Sequence, residues 1–425
     1  MTRRAVEVHV DRAGTPVHVA DLTFETNAGG ALVATEVRYQ REWLDDPRAY
    51  ELSPELPLTS GVATFAGRTL LPGAIADSAP DRWGRTLLFD AARRDARAVG
   101  APLPQLSEAD FVLLASDATR HGNVRYRDPV SGLFLSEQRA GLPTLVDLPA
   151  LVDAARRVTA HQEPIDADLR LLVAGGTTLG GARPKVNVLR DSGRLALAKL
   201  PAADDRWDVQ AWEATALTLA QRAGVRVPAF ELHRVDLDTS VLVVERFDRD
   251  AHGHRVGYWS ARTLLEQQDG EAPSYVELVD AAGDRMRHPD TERLELFRRV
   301  AFNLLVNDVD DHMRNHGILR EQHAWQWAPA FDVNPWPWEW KVESTPIGVR
   351  GQRTDRSIDE LVESARAFGL RPDRAASTAA EVELATRDWA GVAERFGVED
   401  PARSVLASAF TNPSRAAVQR WNHTP

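Results

Sequence analysis

The sequence predicts an α+β fold with a β-rich start, a mixed middle and a largely helical second half. Three observations carry this. Near the N-terminus apolar and polar residues alternate, as in Val6-Glu-Val-His-Val10, which is the period of a half-buried strand. From Thr291 the spacing becomes helical, with Phe297, Val300, Ala301 and Leu304 on one face. In between, Val241-Leu-Val-Val-Glu-Arg-Phe247 has the composition of a buried strand.

At 425 residues the chain exceeds one ordinary core and suits two or three packed units. We place them at residues 1–142 (β-rich), 143–250 (mixed, with a Gly-rich loop) and 251–425 (mostly helical). Within the first, Val6–Val10 and Val17–Leu22 read as strands joined by a turn at Asp11–Gly14. Residues 55–71, rich in Pro, Gly and Thr, hold short strands and loops. Asp81–Ala98 reads as a helix with Trp83, Leu87, Leu88 and Ala91 on one face. Asp147 is placed to cap a helix through Leu151 and Val158. The Gly-rich stretch Gly175-Gly-Thr-Thr-Leu-Gly-Gly-Ala-Arg-Pro-Lys185 follows, then a hairpin of Lys185–Leu189 and Leu195–Leu200 around Asp191–Gly193. Asp208 caps the next helix, whose apolar face is Trp212, Ala216, Leu219 and Ala223, and Gly224 stops it.

Composition narrows the class of protein. Hydrophobic residues at 43% and charged residues at 27% give the balance of a soluble globular chain. No apolar run reaches the roughly 18 residues of a membrane span, and the charged N-terminus has no apolar stretch behind it. With no cysteine, disulfides and thiolate metal sites are excluded, which fits a cytoplasmic protein. Lysine and arginine number 51 against 62 acidic residues, a net charge of −11, and no basic stripe stands out. Direct nucleic-acid binding is therefore not expected.

The segment richest in chemistry is Asn307-Asp-Val-Asp-Asp-His-Met-Arg-Asn-His-Gly317, at the end of the amphipathic helix. Phosphoryl transfer from ATP needs a carboxylate to orient the attacking hydroxyl and an amide oxygen to help hold Mg²⁺. In protein kinases these are an Asp and an Asn five residues apart, the spacing of Asp310 and Asn315. A second metal-binding carboxylate should follow, and Ala328-Pro-Ala-Phe-Asp-Val-Asn334 offers Asp332. Taken alone, a polar cluster at a helix end can equally be capping. Four carboxylates (Asp308, Asp310, Asp311, Asp332) within 25 residues weigh against that.

Other residues fit the same scheme. Lys199 falls on one strand face with Leu195 and Leu197, where a cation needs a partner such as nucleotide phosphates, or snorkels at the strand end. Glu213, on the following helix, can pair with Lys199 or stay solvated. Glu245-Arg-Phe247 ends the buried strand where adenine would sit if two lobes met there. Trp325, Trp327, Trp336, Trp338 and Trp340 bracket Asp332, as core packing or as an aromatic wall beside the substrate.

Together these motifs resemble the HipA-like family of Ser/Thr kinases, the toxins of bacterial toxin–antitoxin modules. Ser78-Ala-Pro-Asp-Arg-Trp-Gly84 resembles the family's N-terminal signature, and Gly180-Gly-Ala-Arg-Pro-Lys185 its Gly-rich loop. Val243-Val-Glu-Arg-Phe-Asp-Arg249 is similar to its inter-lobe strand, and Asp310–Gly317 and Phe331–Pro335 to its catalytic and metal loops. The resemblance implies a two-lobed protein-kinase-like fold with an N-terminal subdomain and ATP between the lobes. It implies Asp310 as the catalytic residue and Asn315 and Asp332 as Mg²⁺ ligands. It implies nucleotide contacts from Gly180, Gly181, Lys185, Lys199, Glu245, Arg246 and Phe247. The family's autophosphorylated hydroxyl, usually a serine, falls here on Thr178, with Thr177 beside it. A small DNA-binding, HipB-like antitoxin is the implied partner, and a translation component such as an aminoacyl-tRNA synthetase the implied substrate. Two other readings remain: a silent pseudokinase acting through its antitoxin, and a metal-dependent phosphohydrolase using Asp308, Asp310, Asp311, His312, His316 and Asp332.

Overall fold

The structure is a computed structural model and describes residues 1–137, 141–162, 165–176, 181–236, 239–340, 345–348 and 357–421. It divides into two compact units, one of residues 1–204 with 245–259 and one of residues 205–244 with 260–425.

The first unit begins with strands β1 (Thr2–Arg12), β2 (Thr15–Thr26) and β3 (Leu32–Tyr39), longer than the alternation alone indicates. Asp11 accepts the Gly14 amide at 2.8 Å and so closes the β1–β2 turn. The short helix α1 (Arg41–Leu44) leads to β4 (Val62–Ala66), helices α2 (Gly73–Asp77), α3 (Arg82–Ala98) and α4 (Glu108–Leu114), and β5 (Val124–Arg127). These strands make one antiparallel sheet in the order β4-β3-β2-β1-β5. Its buried face carries Val6, Val8, Val10 and Leu22 from the predicted segments, joined by Phe24 and Val37.

Helix α3 starts where the sequence indicated, with the Asp81 carboxylate accepting the Gly84 amide at 2.7 Å. Asp147 differs. It precedes α5 (Leu148–Thr159), but its carboxylate turns back to the Thr144 amide at 2.7 Å, closing the turn before the helix instead of capping it. Helix α6 (Asp166–Ala174) then runs into Gly175, and the predicted hairpin forms as β6 (Lys185–Leu189) and β7 (Leu195–Lys199).

In the second unit, α7 (Val209–Arg222) is capped by Asp208, which accepts the Ala211 amide at 2.9 Å, and ends before Gly224 at φ 76°. Strands β8 (Phe230–Asp236) and β9 (Thr239–Glu245) form an antiparallel hairpin. The chain passes through β10 (Gly257–Ser260) and then becomes helical, with α8 (Ala261–Leu264), α9 (Tyr275–Ala282) and α10 (Pro289–Leu305). A hairpin of β11 (Gly317–Glu321) and β12 (Ala324–Trp327) precedes α11 (Ile358–Glu363), α12 (Pro372–Ala385), α13 (Trp389–Arg395), α14 (Asp400–Phe410) and α15 (Pro413–Trp421). The predicted face of α10, Phe297, Val300, Ala301 and Leu304, is buried and anchors this unit's core. Among the described residues no helix is long and apolar enough to cross a membrane.

Candidate active site

Helix α10 ends at Leu305 and releases the chain into a tight polar loop. Asn307 takes a left-handed backbone at φ 53°, where its short amide is tolerated. That side chain donates to the Trp336 carbonyl at 2.7 Å, and the Trp336 amide donates back to the Asn307 carbonyl at 3.2 Å. The loop is thereby tied to the segment that follows Asp332.

Asp310 and Asn315 lie at opposite ends of one turn of this loop. The Asn315 side-chain nitrogen donates to the Asp310 carbonyl at 3.0 Å, and its backbone amide to the His312 carbonyl at 2.8 Å. The amide nitrogen is thus committed and the oxygen is the atom left for a cation. Asp310 is solvent-accessible on one side. Its carboxyl is pushed above the usual range, first by loss of surrounding water, then by the charges of Asp332 and Asp311, with His312 partly opposing them.

Asp332 also has a left-handed backbone, at φ 58°. The approach to it is braced from α10 and the α7–β8 turn. Arg299, buried on α10, donates to the Ala328 carbonyl at 2.6 Å and pairs with Glu295 at 2.8 Å. The Ala330 amide donates to the Arg226 carbonyl at 2.7 Å. Glu292 accepts the Trp327 amide at 2.9 Å. Burial would raise the Glu295 carboxyl, yet Arg299 and Arg226 outweigh it and hold it below its ordinary value. A small cavity lined by Asn303, Asp308, Asp311, Asn315, His316 and Phe331 lies where the loop and the Asp332 segment meet.

Asp311 and His316, both named in the hydrolase reading, are tied together within the loop. They are bonded to each other at 2.8 Å, and Tyr275 on α9 donates its hydroxyl to Asp311 and lies 3.0 Å from His316. All three are buried, and these bonds fasten the loop. The converging His/Asp/Glu ligand group found among the described residues is elsewhere, Glu7, His9 and His18 on β1 and β2. There the two imidazoles stack at 14°, so their in-plane lone pairs run side by side rather than toward one centre.

The candidate cation ligands, the Asn315 amide oxygen and the Asp332 carboxylate, are both oxygen donors. Such a set suits a hard divalent ion like Mg²⁺ better than a softer metal.

The remaining predicted residues fall mainly in the first unit. Gly181, at φ 118°, accepts the Trp83 amide at 3.5 Å. Lys185 is buried and donates to Asp81 at 3.0 Å. Lys199 is half-buried and faces Lys185 across the hairpin register. Glu245 pairs with Arg194 at 2.9 Å. Phe247 packs edge-on to His121, ring centres 5.7 Å apart.

The Arg246 side chain is fully engaged within the first unit. Its guanidinium is buried and donates to Asp248 twice, to Asn187, to the Thr119 carbonyl and, at 3.5 Å, to the Arg120 carbonyl. Those five bonds use the side chain's five N–H groups, so a nucleotide contact here would come from the backbone. In the second unit Glu213 is buried on α7. Thr177, Thr178 and Gly180 lie outside the described residues. Of the tryptophans, Trp325 and Trp327 are core, whereas Trp336 and Trp340 cluster with Trp207, and Arg206 sits 5.0 Å over the Trp340 ring.

Comparison with known proteins agrees with this anatomy. The chain superimposes on HipA of the Shewanella oneidensis MR-1 toxin–antitoxin system, solved with HipB and its operator DNA, with a TM-score of 0.66. The alignment covers 98% of this chain and 97% of that one at 15% identity. The Helicobacter pylori proinflammatory kinase CtkA aligns over 56% of this chain and 95% of its own at 14% identity, with a TM-score of 0.35. A Sinorhizobium fredii (strain NBRC 101917 / NGR234) protein named "Putative kinase Y4mE" is 26% identical over 181 residues, which is 40% of this chain and 38% of that relative. The present chain thus spans well under half the length of that curated relative. The fold is a protein-kinase-like α+β fold. Residues 177–389, half of the chain, match the HipA-like C-terminal domain, and the chain belongs to the HipA-like family.

Proposed function

We propose that the protein is an ATP- and Mg²⁺-dependent Ser/Thr protein kinase of the HipA type. The observation that carries this is the pairing of Asp310 with Asn315 on one hydrogen-bonded turn, with the charge of Asp332 felt at Asp310. Asn315 and Asp332 would hold Mg²⁺, which when bound neutralises charge on the phosphates. Asp310 orients the substrate hydroxyl for in-line attack on the γ-phosphorus and takes its proton. As the new O–P bond forms, the bond to the β–γ bridging oxygen breaks and ADP leaves. Lys199 is proposed as a phosphate contact, and Glu245 and Phe247 as contacts to adenine.

Belonging to this family supports a small, HipB-like DNA-binding antitoxin as partner, as in the Shewanella complex. An aminoacyl-tRNA synthetase is a proposed substrate, and Thr178 or Thr177 a proposed site of self-phosphorylation that would add close to two negative charges to the Gly-rich loop. Incubation of purified protein with Mg-ATP, read by intact mass and peptide mapping beside Asp310→Asn, tests the reading. A phosphate on Thr177 or Thr178, or on an added synthetase, that is absent from the variant is expected. ATP binding without any transfer would leave a pseudokinase, and the absence of both would overturn the proposal.

A further inference from the structure

We propose that Thr119, Asn187 and Arg246 are positioning residues that clamp the root of the Gly-rich loop. This rests on the kinase reading above and adds a layer to it. At the C-terminus of α6 the last carbonyls lack helical partners. Here the carbonyl of the cap, Gly175, and that of the next residue, Gly176, are taken up by side chains from elsewhere in the same unit. Asn187 on β6 donates its side-chain amide to the Gly175 carbonyl at 3.2 Å and the Gly176 carbonyl at 3.0 Å. Thr119, nearly fully buried, donates its hydroxyl to the same Gly176 carbonyl at 2.8 Å. The Asn187 backbone amide adds a bond to Gly175 at 2.7 Å.

Arg246 locks the two clamping residues to each other. One guanidinium nitrogen reaches the Asn187 side-chain oxygen at 2.6 Å and the Thr119 carbonyl at 3.0 Å. Its other edge is held bidentately by the buried Asp248 carboxylate at 2.7 and 2.6 Å. Gly175 is pressed so closely onto β6 that a Cβ would sit 2.1 Å from Val186 Cγ1 and 2.6 Å from the Asn187 carbonyl. The far end of the loop is fixed as well, by the buried Lys185–Asp81 pair at 3.0 Å, and Asp81 is itself the cap of α3.

A loop whose backbone amides surround phosphates works only if its ends hold still, because small misplacements are costly in a positioning mechanism. The clamp does that from outside the phosphate contacts.

The test uses the full-length protein and Thr119→Val, which keeps the β-branched shape and removes only the hydroxyl. Thr119→Ser restores the hydroxyl, and Arg246→Lys keeps the charge without the fork. For Thr119→Val the KM for ATP should rise about 2- to 10-fold, the worth of one neutral hydrogen bond, with kcat changed less. Amide exchange in the peptide covering residues 170–190 should quicken, and Thr119→Ser should return both readings toward wild type. Unchanged KM and unchanged exchange would overturn the clamp, as would a Ser variant that fails to restore them. If the wild-type protein neither binds Mg-ATP nor transfers phosphate while exchange still quickens in Thr119→Val, the kinase reading falls and takes the catalytic meaning of the clamp with it.

Discussion

Tyr275 donates its hydroxyl to the carboxylate of Asp311, the residue that directly follows Asp310. Through it α9 takes hold of the loop that carries the proposed catalytic carboxylate, and His316 closes the triangle at 2.8 and 3.0 Å. Thr345 adds a further pair of bonds, both to the Asp311 carbonyl, at 2.8 Å from its amide and 2.9 Å from its hydroxyl. Tyr275→Phe removes the hydroxyl and leaves the ring. Stability should fall by about 1.5–3 kcal/mol, the range for a hydrogen bond to a charged group, as read by urea unfolding. Phosphate transfer should drop about 10- to 100-fold while Mg-ATP affinity stays near wild type.

Asp310 sits beside other carboxylates and is held more protonated than an ordinary one. Only the ionised form can accept a hydroxyl proton. The acid limb of kcat/KM should therefore lie above the ordinary aspartate value, and a pH–rate profile checks it. Asp310→Asn should lose about 10²- to 10⁴-fold in transfer and keep ATP binding.

Asp332 combines a proposed metal-ligand role with a backbone at φ 58°. Asp332→Ala and Asp332→Gly should both abolish Mg²⁺-dependent transfer. The glycine variant should be the more stable by about 1–2 kcal/mol, because alanine resists the left-handed region and glycine does not. Equal thermal midpoints would show that the conformation relaxes when the carboxylate is lost.

His121 predicts a pH dependence of stability. It is buried, stacked on Tyr258 at 3.9 Å, with Asp248 at 3.8 Å and Arg246 and Arg249 around the same acid. Burial chiefly, helped by the two arginines against the pull of Asp248, pushes its pKa down to about 3. The unfolded chain then binds a proton that the fold refuses. Stability should be complete above about pH 6.5 and fall by a few kcal/mol as the pH drops toward 4. Asp248, held well below its ordinary value by Arg246 and Arg249 despite its burial, adds acid sensitivity lower still. His121→Gln should flatten the upper part of that slope in denaturant titrations at pH 4 to 7.

What was legible in the sequence was local. The Asp208 cap, the Gly224 stop, the β6–β7 hairpin and the buried face of α10 follow from spacing within one element, and each formed where the residues placed it. Asp310 and Asn315 were also legible, since both lie on one short loop. The rest depended on distance along the chain. Tyr275 is 36 residues from Asp311, and no periodicity connects them. The side-chain partners of Arg246, Thr119 and Asn187, are 127 and 59 residues away, and no local pattern points to them. Asp147 was misread for a subtler reason: a Thr three residues earlier competes for the same carboxylate.

The first unit is not continuous in sequence, since residues 245–259 rejoin 1–204 after the chain has left for the second. That late segment supplies Asp248 to the Gly122 amide at 2.8 Å, and Arg246, Arg249 and Arg255 to Asp117 and the backbone around Arg120. During synthesis the N-terminal portion therefore emerges with buried carbonyls still awaiting their donors, and with Asp117 holding Arg125 but not yet Arg255. It can close its interior only after residue 259 has cleared the ribosome. The part of this protein made first is among the last to become whole, and a fragment ending at residue 204 would lack the arginine donors that its Arg120 carbonyl accepts.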